Sequence, residues 1–539
     1  MRLPQPSHLS VKMKKDSVLI VGDHLIADDI QHQLISRGAS IAKAFSEDFE
    51  LSEFTEIFIL SPYKIANSDD DFQVDVKTLS LVKKLAERCT SRLLVHMLLR
   101  CQSTLKFLLS TDLPSEINER FEVYPFTMVD TWAKNITCNL PNITRFGYLP
   151  LDYKAISETS KYFAHIVIFG MNELAKSVAI NTALAAHFPN YRESDKLPLR
   201  SRITLIDKNI CDNSDSFMTS YRSLFENSYY RKIDVKAESI EFHEPMFTGK
   251  RNDFVDVEWE FVDANFDNPC VLRKLSEWSA DDRHLLTIFI CGADDSENVS
   301  RCLSIPREVC EHNIPVNVQQ SRSENAKIFR QSNRMKNFHF FGMEDCGYDI
   351  SLPLVRMAKY LKYFYDCSYG DIGVPTVLPI DEVENAWEKE KSCKMRFSNI
   401  YNVMTIAAKM RSLGHNADDY ETFYALTSEE IKYLARVEHN RWSVERLIMG
   451  SRPCTDEERR VISENIREIV SCRSLNGNQN LPEDLKKKYK NERDVHYDLC
   501  SYDELSIDTT GKNVQVYDYD LTACIPLIIK SYVDAYDRE

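Results

Sequence analysis

The sequence predicts an α/β protein, two doubly wound parallel sheets followed by a mainly helical region. Three observations carry that prediction. Short, continuously apolar runs such as Val18–Gly22 (VLIVG) and His165–Gly170 (HIVIFG) end in glycine and read as strands buried on both faces. Segments with helical spacing separate them, which is the order of a parallel sheet covered on both sides. From about residue 352 onward helical segments dominate, and the best signalled of them opens with the capping box Thr427-Ser-Glu-Glu430.

In chain order, Val18–Gly22 is a strand and Ile26–Ser36 a helix. Ala39–Phe45 and Glu56–Ser61 read as strands, Thr78–Cys89 as a helix and Arg92–Leu99 as a further buried strand. Residues 16–150 are therefore expected to form one α/β domain. A second series begins with the strand His165–Gly170 and the Ala-rich helix Leu174–His187, with Pro189 just beyond it. The strands Ile203–Asp207, Glu258–Asp263, Leu285–Gly292 and Pro315–Gln319 follow, with a helix over Asn298–Cys310 between the last two. These place a second α/β domain at 160–350. A helical connector is expected over 351–414 and a third domain over 415–539, where Gly450 supplies a helix stop.

Composition bounds the function. The chain has 539 residues, enough for roughly three or four domains. With 67 Lys+Arg against 82 Asp+Glu, its net charge is −15, which disfavours bulk nucleic acid as a partner. The lysine run Lys486–Lys490 is flanked by acids and reads as a solvated helix face. The longest apolar runs fall far short of the ~20 residues that span a bilayer, so direct membrane insertion is not expected. The start, MRLPQPSHLSVKMKK, is basic but lacks the apolar stretch of a signal peptide. Fifteen scattered cysteines, with no C-x-x-C pair, fit reduced thiols in a cytoplasmic protein better than a disulfide framework or a zinc site.

Two constellations carry chemistry. At Gly170-Met-Asn-Glu-Leu-Ala175 a strand ending in glycine enters a helix, so backbone N–H groups and the positive helix end converge where a phosphate could sit. Asp207, at the end of the next strand, is placed to accept hydrogen bonds from ribose hydroxyls. Asn172 and Ala175 stand where G-x-G-x-x-G would have its second and third glycines, and the polar stretch Pro189–Arg200 lengthens the interval to Asp207. In the first domain, Gly22 occupies the equivalent turn, but Asp23, Asp28 and Asp29 repel a phosphate. That domain reads as a degenerate unit used for packing or dimerisation.

The second constellation is Leu434–Leu447 (LARVEHNRWSVERL). Helical spacing puts Glu438, Trp442 and Glu445 on one face, where two carboxylates beside a ring could hold a polar or cationic ligand or pair with arginines. The plainer reading is a core Trp with exposed charges. Glu438 and His439 are adjacent, so a helix cannot aim both at one substrate; His439 is expected to be structural or exposed at a rim. The chain shows no nucleophile elbow, zincin helix, P-loop lysine or deaminase signature, and no catalytic residue is assigned.

Residues 163–345 resemble the Rossmann domain of potassium-transport regulators, the Trk-type N-terminal or RCK domain. The resemblance rests on the Gly170 turn, Asp207, Phe261-Val-Asp-Ala264 and Cys291-Gly-Ala-Asp-Asp-Ser-Glu-Asn298. It implies NAD(H) or a related adenine nucleotide, bound as a signal. The cofactor-binding positions would be Gly170, Asn172, Glu173, Leu174, Asp207, Lys208, Asp263, Ala264, Gly292, Ala293 and Asp294. On the same resemblance the first domain is a degenerate Rossmann-like unit.

Residues 380–530 resemble the RyR domain, the ryanodine-receptor repeat found in bacterial proteins. The matching segments are Glu438–Gly450, Val495–Leu505, Val516-Tyr-Asp518 and Cys524-Ile-Pro526, with Trp387, Ser398-Asn399 and Leu413-Gly414 as lead-in. Ser451-Arg-Pro replaces the usual aromatic-rich turn. The resemblance implies a small-ligand or nucleotide-sensing module with Glu438, His439, Trp442, Arg446, Tyr502 and Asp503 near its pocket.

The expectation is thus a cytoplasmic, non-enzymatic sensor of a small nucleotide ligand that signals by domain rearrangement. RCK-like domains commonly pair, so a homodimer or larger homo-oligomer is implied. A separate membrane or effector partner would supply the output, in ion-transport regulation or antiviral defence. An NAD(P)-dependent oxidoreductase or NAD-processing enzyme and a non-binding scaffold are the alternatives.

Overall fold

The structure is a computed structural model that describes residues 16–45, 49–66, 68–138, 147–193, 195, 198–245, 253–324, 336–369, 373–415, 425–476 and 494–536. The basic start of the chain, the lysine run and nearly all of the polar stretch 476–492 lie outside these residues. The chain divides into two compact units, one of Met1–Leu105 with Leu113–Met128, the other of Lys106–Asp112 with Val129–Glu539. Among the described residues no helix is long and apolar enough to cross a membrane. The described cysteines carry free thiols, most of them buried.

In the first stretch of chain the elements run β1 (Ser17–Val21), α1 (Ala27–Ser36), β2 (Ser40–Ala44), β3 (Glu56–Ile59), α2 (Asp71–Arg88), β4 (Leu93–Leu98), α3 (Gln102–Thr111), α4 (Ser115–Arg120) and β5 (Phe121–Phe126). The five strands form one parallel sheet in the order β2-β1-β3-β4-β5. Its central strands are largely apolar, as strands covered on both faces are, and the polar pair they bury, Glu56 and His96, is joined at 2.8 Å. The expected strands and α1 are all present, while α2 starts seven residues before the predicted Thr78. Asp70 caps it by accepting from Gln73 N–H, and the Gln73 side chain returns the bond, so the helix nucleates in a polar stretch without apolar periodicity. β5 was not anticipated from the sequence.

The larger unit holds α5 (Met128–Thr137), β6 (Phe163–Phe169), α6 (Glu173–Ala185), β7 (Ser201–Asp207), α7 (Ile210–Ser220), α8 (Arg222–Glu226), β8 (Tyr229–Asp234), β9 (Ser239–His243), β10 (Val257–Asp263), α9 (Pro269–Ala280), β11 (His284–Ile290), α10 (Asp295–Leu303), α11 (Arg307–Glu311), β12 (Val316–Gln319) and β13 (Phe338–Phe341). These strands make one sheet in the order β13-β12-β11-β6-β7-β10-β8-β9. Only the β8–β9 pair is antiparallel.

All five predicted strands of this series form. The hairpin and β13 widen the sheet to eight strands. Its turn is built by Asp234, whose carboxylate accepts from Lys236 N–H and Ala237 N–H. The single helix expected over Asn298–Cys310 is two helices. Pro306, which lacks an N–H and cannot continue a ladder, stands between α10 and α11.

The remainder is helical, as expected: α12 (Pro353–Tyr369), α13 (Ile380–Lys389), α14 (Cys393–Val403), α15 (Ile406–Ser412), α16 (Ser428–Ile448), α17 (Asp456–Asn476), α18 (Gln515–Ala523) and α19 (Ile525–Tyr536). A two-stranded parallel pair, β14 (Arg452–Pro453) with β15 (Val495–His496), lies among them. Thr427 and Glu430 cap α16 reciprocally, and Gly450 at φ +93° follows its end, both as read from the sequence.

The charges at the centre of α16 are not exposed. Glu438, Arg441 and Glu445 are each 1% exposed, which corrects the plainer reading of this helix as a core Trp with solvated charges. Arg441 donates to Glu438 (2.8 Å) and Glu445 (2.7 Å), while Lys409 Nζ (2.6 Å) and Asn402 Nδ2 (2.7 Å) complete the shell of Glu438. Burial pushes the Glu438 carboxyl up, but Arg441 and Lys409 outweigh it and hold the group at about 2. Two cations thus neutralise two carboxylates in a place where an unpaired charge would be expensive.

Arg441→Ala leaves both carboxylates short of a cation in the core. It should cost ~3–5 kcal/mol in urea unfolding. A loss comparable to that of a surface substitution would show that this cluster does not hold α16 in place.

Candidate functional site

The order of strands in the large sheet reverses between β6 and β11, since β7 follows β6 on one side and β11 lies on the other. Crevices for ligands form at such points, beyond the carboxyl ends of the strands. Gly170 stands there at φ +120°, and a Cβ on it would overlap the Cys291 carbonyl oxygen at the end of β11. Asn172 locks the same junction. Its Oδ1 accepts from Ala175 N–H (2.9 Å), capping α6, and its Nδ2 donates to the Cys291 carbonyl (2.8 Å).

A crevice of about 330 Å³ opens beside this turn, on the side of β7 and β10. Gly170, Asp207, Lys208 and Ala264 of the predicted set line it, joined by Phe266 and by Arg301 from α10. Asp207 is half-buried. Burial raises its carboxyl above the ordinary value, as does Asp263, while Arg301 and the backbone N–H groups of Met171 and Lys208 work in the opposite direction. Arg301 lies 5.8 Å from the Phe266 ring and is held by Glu297 at 2.6 Å. The crevice therefore offers an aromatic face, a cation and a carboxylate within one wall-to-wall space.

The other predicted positions lie in the frame or on the surface. Asp263 accepts from Asn209 N–H (3.3 Å) and Asp294 caps α10 through Glu297 N–H (2.8 Å). Leu174 is buried at 3% exposure, Glu173 pairs with Lys176 on the surface at 3.0 Å, and Ala293 is exposed. At Gly292 a Cβ would overlap the Asn298 side-chain oxygen. Fully buried Asn298 accepts from Gly292 N–H (2.9 Å) and donates to the Gly292 and Gln319 carbonyls, tying β11 to β12. Sequence reasoning missed Arg301 as a lining residue. The signal was present in the spacing of Glu297, Ser300, Arg301 and Ser304, which is one face of a helix.

The second predicted set is divided. Glu438 faces the buried ion cluster, whereas His439 points elsewhere, its Nε2 donating to the Cys500 carbonyl (2.8 Å) and its Nδ1 lying 3.2 Å from Asp518. His439 is 2% exposed, so it is a buried structural group rather than a rim residue. Asp518 raises its basicity against the opposing effect of burial. Rings then form a continuous series: Arg446 over Trp442 (5.6 Å), Trp442 against His439 (5.7 Å) and His439 against Tyr502 (5.9 Å). Tyr502 and Asp503 line a separate cleft with Arg436, which binds Asp503 through two nitrogens at 2.9 and 3.0 Å.

Among the described residues no group of three or more His, Cys, Asp or Glu is arranged to hold a metal. No family model, no curated protein and no solved structure matches the chain.

Near this ring series burial pushes the Asp498 carboxyl up to about 6. A raised carboxyl contributes its stability below the unfolded value of about 4 and loses it as pH rises through 6. Asp498→Asn should therefore raise the melting temperature near pH ~8 and leave it nearly unchanged near pH ~4. Equal shifts at both pH values would contradict this assignment.

Proposed function

We propose that the chain is a nucleotide-binding regulatory protein whose crevice at Gly170, Asp207 and Arg301 takes an adenine nucleotide such as NAD(H) or an ADP-ribose-like molecule. The observation that carries this reading is the crevice itself, set where the strand order reverses and bounded by a carboxylate, a cation and a ring. The order β10-β7-β6-β11-β12-β13 supports a Rossmann-like sheet, because it is the doubly wound arrangement that binds dinucleotides. Asp207 takes the ribose hydroxyls and Phe266 the base, with Arg301 supplying positive charge for a phosphate. Since Asn172 fills the middle glycine position and its side chain is spent on Ala175 and Cys291, close backbone approach by a pyrophosphate is hindered there. The β7/β10 side of the turn, where the adenosine half would lie, is the open one.

On this reading the ligand is a signal, retained rather than consumed. The helical RyR-like region transmits its presence by domain rearrangement, within a homodimer or larger homo-oligomer in the cytoplasm. A separate membrane or effector partner would give the output, in ion transport or antiviral defence. Binding moves such an equilibrium only if the two arrangements differ in affinity.

Calorimetric titration with ADP-ribose, NAD+, NADH and ATP tests the reading. At least one should bind, and Asp207→Ala should weaken it by ~1–3 kcal/mol, the cost of an unpaired polar partner. Arg301→Ala should weaken phosphate-bearing ligands more than adenosine. Absence of binding by all four, or affinities untouched by both substitutions, removes this crevice as a nucleotide site.

A further inference from the structure

The large sheet ends differently on its two sides. At one edge β13 is covered, with Phe338, Phe340 and Phe341 buried. At the other edge β9 is exposed over its first four residues, and no strand among the described residues pairs with its outer side. A bare edge presents a row of unpaired N–H and C=O groups, and proteins commonly blunt it with lysine, proline or a bulge. From Ser239 to His243 the strand has neither residue, and its register with β8 runs without a bulge. It carries instead Ile240 and Phe242, 63% and 65% exposed and on the same face. Such side chains are the ones that cross-strand packing favours.

The charges select what can pair there. Glu241 lies opposite Lys232 across the hairpin, but Lys232 is engaged by Asp215 at 2.7 Å, and Glu241 makes no ion pair among the described residues. His243 shares its face of the sheet with Glu241 and stacks on Tyr230 at 4.3 Å. A second copy of β9 running antiparallel can be centred on any of the three middle residues. Centred on Glu241, it sets like charges directly opposite, which is destabilising. Centred on Ile240, it runs Phe242 against Glu238, whose φ of +51° belongs to the turn and not to a strand. Centred on Phe242, it sets ring against ring on one face and each Glu241 against the partner's His243 on the other.

We propose that β9 is the edge through which two copies of this chain associate, antiparallel about a two-fold axis at Phe242, so that the two large sheets become continuous. The contact is isologous, the same patch serving both copies. The two Phe242 rings meet at the axis, and each Ile240 lies on the diagonal to the partner's Phe242. Two Glu241–His243 contacts flank them and fix the register. This surface rests on the homo-oligomer of the proposed function. It needs no ligand in the crevice at Gly170, whose lining shares no residue with β9.

Sedimentation velocity of the full chain, without nucleotide, tests the proposal. The wild-type chain should sediment as a dimer. Phe242→Lys should raise the dimer dissociation constant by about tenfold or more, with the circular dichroism spectrum and nucleotide affinity unchanged. Glu241→Lys and His243→Glu should each weaken self-association. An equimolar mixture of these two variants should regain the dimer, because it again sets opposite charges across the edge. A monomeric wild-type chain overturns both this surface and the homo-oligomer. A dimer untouched by Phe242→Lys keeps the homo-oligomer and removes this edge from it, and a mixture no more dimeric than its components overturns the pairing at Phe242. Nucleotide binding that is absent while the dimer persists strikes the crevice reading and leaves this one standing.

Discussion

The approach of Gly170 to the Cys291 carbonyl is the contact on which the large sheet depends. It brings the end of β6 against the end of β11, the two neighbours at which the strand order reverses. A side chain there would force them apart, and the left-handed backbone at φ +120° leaves little choice of residue. Asn172 then uses one side chain for two purposes, capping α6 and binding the same carbonyl. The start of α6, the mouth of the crevice and the place of Asp207 all follow from this junction.

That junction also explains why the turn departs from a three-glycine pattern. With Asn172 committed to the frame, the open crevice lies towards β7, β10 and α10, where Arg301 and Phe266 stand. The helix α6 begins beside this crevice and ends shortly before Pro189 and Tyr191, which line the cleft of Tyr502 and Asp503. Beyond its first turn α6 is buried on all sides from Ser177 to Ala185, as its small residues allow. One rigid element therefore touches the surroundings of both spaces.

Parts of this were legible in the sequence because their causes are local. Apolar runs marked the strands, and reciprocal capping at Thr427 and Glu430 marked α16. The same chemistry at Asp70 and Gln73 was just as local, yet it lay outside the apolar period and was passed over. Asn298 was noticed as part of a resemblance. Its work, bonding Gly292 and Gln319 at once, needs two strands that are distant in sequence. The hairpin β8–β9 escaped because its strands are half-buried or exposed and carry no continuous apolar run.

By itself the sequence determined the α/β class, the strands that build the sheet core and the turn at Gly170, since each follows from hydrophobic period, chain stiffness or capping within a few residues. Tertiary structure decided the order of the strands, the partnership of Arg301 with Asp207 and Phe266, and the fate of the charges on α16. Spacing put Glu438 and Glu445 on one face, which is true of a solvated helix as much as a buried one. Arg441 of the same helix pairs with both, and the arrival of Lys409 and Asn402 from neighbouring helices completed the shell that lets Glu438 stay buried. Pairing across a fold depends on the positions of groups far apart in the chain, and no local pattern of residues encodes it.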